Sequence, residues 1–206
     1  MKIGIFDPYL DDLGGGEKYM MTIAECLARD HNVSIFWDKK EDIAKLAQRF
    51  LFDLSSISIT KNIFSSKTST LERLLATNKF DVIFILSDGS IPLVSSNKLF
   101  IHFQQPMQHL RSPSLRTKLK LSRVTSIFCN SQFTKSFIDK TFNANSKVLY
   151  PPVALYPKTI KRENIILNVG RLRVKNVTIK GVPIGDYKKQ SFMIDVFKKM
   201  VKKGLA

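Results

Sequence analysis

Apolar positions along the chain fall into two alternating rhythms. Residues 2–7 place Ile3, Ile5 and Phe6 in a short buried strand. Residues 8–16, with Pro8 and Gly14-Gly15-Gly16, break that run and read as a loop. From 17 to about 29, Met20, Ile23, Ala24 and Leu27 recur at the spacing of one apolar helix face. The same reasoning gives a strand at 32–37, a helix at 41–50, a short strand at 57–60 and a helix at 68–77. Strands follow at 80–86 and 98–103, a helix at 114–122 and a strand at 124–129. A helix at 131–142 has Ser131 as its N-cap, and a short strand at 147–150 ends at Pro151-Pro152.

Strands alternating with helices predict a mostly parallel sheet covered on both faces. Residues 1–150 therefore read as one doubly wound α/β domain, Rossmann-like in architecture. Residues 151–163, with Pro151, Pro152 and Pro157, read as a linker. Beyond it come a strand at 164–169 and a helix at 186–203 with the apolar stripe Met193, Ile194, Phe197, Met200 and Val201. One strand and one helix bury too little surface to fold unaided. Residues 164–206 are thus expected to be the first strand–helix unit of a second α/β domain whose remainder is absent.

Composition narrows the class. Of 206 residues, 44% are hydrophobic and 24% charged, an ordinary globular mix. Two cysteines, Cys26 and Cys129, cannot build a disulfide framework, and both are expected in the core. No apolar run reaches the ~18 residues of a membrane span, and residues 1–7 do not read as a secretory leader. A cytoplasmic setting is expected, and no metal site. Charge changes the picture most. Residues 1–97 carry 11 Lys+Arg against 13 Asp+Glu, and residues 98–206 carry 22 against 4. The second half should attract phosphate, anionic lipid or nucleic acid.

The glycine run holds the first candidate chemistry. In open α/β sheets ligands bind beyond the carboxyl ends of the strands, and free N–H groups at a helix start attract anions. Three glycines there permit close backbone approach; positive φ in a plain loop is the competing explanation. The dinucleotide fingerprint G-x-G-x-x-G is missing.

Four segments in order resemble the retaining glycosyltransferases of family four, enzymes of GT-B architecture. They are the first strand with Gly14-Gly15-Gly16-Glu17; Ile101-His102-Phe103; Asn130-Ser131-Gln132-Phe133-Thr134 with Val148-Leu149-Tyr150-Pro151-Pro152-Val153; and Ile165 to Arg171 followed by Lys188-Lys189-Gln190. The resemblance implies hexosyl transfer with retention from a nucleotide diphosphate sugar to a lipid-linked or saccharide acceptor, as in polysaccharide or glycolipid synthesis, with mannosyltransferases among the relatives. It implies no cofactor beyond the donor. It places the acceptor on the first domain, with Glu17, Asp88 and Gln104 beside it, and His102 near the reacting centre. Gly15, Gly16, Arg171, Lys188 and Lys189 would hold the diphosphate. The spacer between Arg171 and Lys188 is sixteen residues. The family's E-x7-E pair lies beyond residue 206, so this chain alone is expected to lack turnover.

Residues 109–123 carry five basic residues and no acid. Leu115 and Leu119 with Arg116, Lys118, Lys120 and Arg123 form a short basic amphipathic stretch, which would seat the protein on the inner face of a membrane. A solvated helix is the plainer alternative. Two other classes stay open: a basic nucleic-acid-binding module, though no recognition motif for one is present, and a non-catalytic α/β subunit completed by a protein partner.

Overall fold

The computed structural model describes residues 1–107, 114–153, 165–167, 177–179, 182–184 and 189–204. The chain divides into two compact units, Met1–Ala154 and Leu155–Ala206.

The first unit is a seven-stranded, all-parallel α/β sheet of Rossmann-like form. Its elements are β1 (Lys2–Phe6), α1 (Gly15–Ala28), β2 (Asn32–Phe36), α2 (Lys40–Phe50), β3 (Ser58–Thr60), α3 (Thr70–Thr77) and β4 (Val82–Leu86). They continue with β5 (Lys98–Phe103), α4 (Leu115–Leu121), β6 (Ser126–Cys129), α5 (Gln132–Phe142) and β7 (Lys147–Val148). The strand order is β3-β2-β1-β4-β5-β6-β7. The chain winds outward from β1 in one direction and then resumes on its other side at β4. The crevice between β1 and β4 is therefore the topological switch point, where such sheets bind ligands.

Both faces are covered, and strand alternation shows it. In β4, Val82, Phe84 and Leu86 join one core with Met20, Met21 and Ala24 of α1 and Ile43 and Leu46 of α2. Ile83 and Ile85 join the other, with Ile138 and Phe142 of α5. A strand buried on both faces reads as a continuous apolar run. Helix starts follow their caps. Ser69, Ser114 and Ser131 each accept the backbone N–H three residues on, from Glu72, Thr117 and Thr134. Each such cap is worth ~1 kcal/mol.

Two expectations inside this unit are corrected. Helix α1 begins at Gly15, so Gly15 and Gly16 belong to its first turn and Gly14 is its N-cap, where a loop to Gly16 is expected. None of them needs positive φ: Gly14 is extended at φ −101°, and the left-handed residue is Leu13 at φ 50°. Cys26 is exposed, while Cys129 is buried as expected.

In the second unit the described residues give β8 (Val177–Ile179), β9 (Val182–Ile184) and α6 (Gln190–Lys202). β8 and β9 pair antiparallel. This hairpin falls in the stretch read as a spacer. Of the strand expected at 164–169, only Ile165–Leu167 fall among the described residues; they are not assigned to a strand, and their side chains are exposed. Lys189 precedes α6 as its N-cap, at φ 56°, and does not lie within the first turn.

Candidate functional site: an acid-lined cavity at the sheet switch point

A cavity of about 400 Å³ opens at the carboxyl ends of β1, β4 and β5. Tyr9 and Asp12 line it from the loop after β1, and Gly16 and Glu17 from the first turn of α1. Leu86, Ser87 and Asp88 come from the end of β4, and Gln104, Gln105 and Met107 from the end of β5. Four expected site residues, Gly16, Glu17, Asp88 and Gln104, meet here. Tyr9, Asp12 and Ser87 join them; the polar residues Tyr9, Asp11 and Asp12 after the first strand are a sequence signal for the first two, and Ser87, at the end of an apolar strand, has none.

Each side chain is held. Glu17 is buried and accepts the Gly14 N–H at 2.5 Å, so the mouth of α1 already carries an internal carboxylate. That arrangement satisfies an orphan amide where the N-cap glycine has no hydroxyl, and it sets a negative charge at the positive end of the helix. Gln104 donates through Nε2 to the Gly16 carbonyl at 3.2 Å, and its own carbonyl accepts from Asn130 Nδ2 at 2.9 Å. A Cβ on Gly16 would stand 2.5 Å from Gln104 Oε1, so a side chain there would push the end of Gln104 off the Gly16 carbonyl. Gly15 faces open space. Asp88 Oδ1 accepts from the backbone and hydroxyl of Ser90 at 3.0 and 2.8 Å. Met107 lines the cavity at φ 47°, a strained conformation of the sort functional loops retain.

Among the described residues, the charged ones lining the cavity are carboxylates: Asp12, Glu17 and Asp88. Behind them Asp7 is fully buried. Its Oδ1 accepts the Tyr9 N–H at 2.9 Å, and its Oδ2 has no partner among the described residues. Burial raises the Asp7 pKa to about 7, and the nearby charges of Glu17, Asp11 and Asp12 push the same way.

His102, expected near the reacting centre, is also fully buried and is not among the cavity-lining residues. Its ring meets Tyr19 edge-on at 4.7 Å and stacks on Phe84 at 6.1 Å. Among the described residues neither ring nitrogen has a partner, and burial lowers its pKa to about 4, so it is neutral at pH 7. Tyr19 covers it and donates to the Leu149 carbonyl at 2.5 Å, tying α1 to the chain that leads to Pro151.

The remaining expected residues lie elsewhere. Arg171 and Lys188 are outside the described residues. Lys189 is exposed at the start of α6. Arg116, Lys118 and Lys120 lie on α4 and Arg123 just past it; no residue of that helix is buried, and Leu115 and Leu119 are exposed. Among the described residues no group of three His, Cys, Asp or Glu has the geometry of a metal site, and no helix is long and apolar enough to cross a membrane.

No protein-family model and no curated protein matches the chain. Among solved structures it is similar to a crystal structure of Anabaena HepE in complex with UDP and glucose, at TM-score 0.48 and 17% identity. The match covers 74% of this chain and 45% of that one, so the chain spans less than half of that protein.

Proposed function

We propose that this chain is the acceptor-side part of a glycosyltransferase that uses a nucleotide diphosphate sugar. The observation that carries the reading is the lining of the switch-point cavity. Among the described residues, Asp12, Glu17, Asp88, Ser87, Gln104 and the phenol of Tyr9 line it with hydrogen-bonding groups and no cation. Carboxylates and amides accept from and donate to hydroxyls, so this set suits a neutral, hydroxyl-rich molecule. A diphosphate would meet three carboxylates there. Gly16 therefore serves the acceptor in this account, and the diphosphate falls to Arg171, Lys188 and Lys189. The four family-like segments add the reaction class: a hexose leaves its diphosphate for an acceptor hydroxyl, with retention at the anomeric carbon.

Helix α4 supplies a second partner. Its exposed leucines lie among Arg116, Lys118, Lys120 and Arg123, with no acid on the helix. We assign this face to an anionic lipid surface, where such an acceptor would be presented.

A second reading is a non-catalytic α/β subunit. It draws on α6, whose Phe192, Ile194, Phe197 and Val201 are exposed and would suit a covering chain. Saturation-transfer NMR separates the two. The acceptor reading expects methyl glycosides to saturate, and Asp12→Asn with Asp88→Asn to weaken them at least ~10-fold, the scale of losing one charged hydrogen bond. Absence of any glycoside signal, with a stable hetero-complex by light scattering, would overturn it.

A further inference from the structure

Gln104, Gln105 and Met107 bring the carboxyl end of β5 to the cavity, yet residues 104–107 belong to no strand or helix. Such a segment keeps a binding geometry only when groups outside it hold it in place. The hold comes from β6. Phe103 and Cys129 are register partners at the ends of β5 and β6, so Gln104 and Asn130 leave the sheet side by side. The Asn130 N–H donates to the Phe103 carbonyl at 3.2 Å, and its Nδ2 donates to the Gln104 carbonyl at 2.9 Å. Gln104 then reaches across to α1 and donates from Nε2 to the Gly16 carbonyl at 3.2 Å.

The amide of Asn130 is oriented from both ends. Its Oδ1 accepts from the hydroxyl of Ser131, the N-cap of α5, at 3.2 Å, which leaves Nδ2 for the Gln104 carbonyl. Few side chains serve both partners at this reach: Asp has no donor, and Gln is a methylene longer.

Resting on the acceptor reading, we propose that Asn130 is a positioning residue of the glycoside site. It does not line the cavity. It fixes Gln104, and through the bridge to Gly16 it sets the gap between the end of β5 and the first turn of α1. A second tie supplies an internal control. Tyr19, one turn further along α1, donates to the Leu149 carbonyl at 2.5 Å, and the Leu149 N–H donates to the Cys129 carbonyl at 2.9 Å. Both ties lead to the end of β6, but this one bypasses Gln104.

The test reads the Gln104 side-chain amide by NMR in the full chain, its signal identified by its loss in Gln104→Glu. The proposal expects that signal to stand away from the position of a free glutamine. Asn130→Asp and Asn130→Ala should return it there and weaken methyl glucoside binding roughly 3- to 10-fold, the scale of one neutral hydrogen bond. Asp keeps the oxygen that faces Ser131, and Ala removes the donor without adding charge, so the pair separates lost donation from new repulsion. Tyr19→Phe cuts the other tie and is expected to leave the Gln104 signal in place. An unmoved signal in both Asn130 variants overturns the proposal. So does an equal shift in Tyr19→Phe, which marks general loosening of α1. A shifted signal with undiminished glucoside affinity also overturns it, because the bridge then serves the fold alone. No glucoside binding by the parent overturns the acceptor reading itself, while the Gln104 signal still shows whether Asn130 holds the bridge.

Discussion

The carboxylate of Glu17 accepts the amide proton of Gly14 at 2.5 Å, closing the mouth of α1 with the protein's own negative charge. A run of glycines entering a helix usually reads as an anion cradle. Here Glu17 already holds the first of those amides, that of Gly14. Glu17→Ala is expected to lose ~1 kcal/mol of stability, the ordinary worth of an N-terminal cap. Glu17→Gln keeps an oxygen acceptor and should lose less. Thermal melts of the two variants check the order; equal losses would contradict it.

The glycines separate by what a methyl group would meet. Gly15→Ala adds its Cβ to open space inside a helix and should stabilise by ~0.5–1 kcal/mol. Gly4→Ala would bring a Cβ within 2.5 Å of the Phe36 ring and 2.7 Å of Ile83 in the centre of the sheet, and should cost ~1–3 kcal/mol. Gly16→Ala falls between, because only the end of the Gln104 side chain must move, yet it should weaken glycoside binding as Gln104 leaves the Gly16 carbonyl. Denaturant midpoints of the three variants should rank in that order.

Asp7 and His102 make opposite contributions to the pH dependence of stability. The folded protein holds a proton on Asp7 up to about pH 7 that the unfolded chain releases near 3.8. Stability from that group is full at low pH and lost as pH rises through this window. His102 stays neutral down to about pH 4, while the unfolded side chain titrates near 6.5. Its contribution is full above 6.5 and lost as pH falls. Between pH 4 and 6.5 the two slopes, each up to ~1.4 kcal/mol per unit, oppose one another. Asp7→Asn should therefore unmask a stability that climbs with pH across this range, and should gain most over the parent at pH 8. Parallel profiles for parent and variant would contradict the assignment.

The α4 face predicts salt-sensitive binding to anionic vesicles. With ~1 kcal/mol per cation near the surface, Lys118→Glu with Lys120→Glu should reduce co-sedimentation at least ~10-fold. Equal binding to neutral vesicles would contradict the electrostatic account, and preferential, salt-dependent binding to duplex DNA would favour the nucleic-acid reading instead.

Much of the first unit was legible because its signals are local. Ser131 caps α5, as a serine at a helix start implies, and β5 spans residues 98–103 as read. The apolar run of β4 marks a strand buried on both faces. Glu17, Asp88 and Gln104 converge because strand ends in a parallel sheet lie together. What escaped depends on contacts distant in sequence. Nothing near His102 announces that Tyr19 will cover it. The sign of charge in the cavity emerges only when the loop after β1 meets the end of β4.

The most direct test follows the backbone amides of Gly14, Gly15, Gly16 and Glu17 by NMR during two titrations of the full chain. The account predicts that methyl glucoside shifts the Gly16 and Glu17 signals while inorganic pyrophosphate leaves all four in place. Pyrophosphate shifting these amides while the glucoside leaves them unmoved would contradict it.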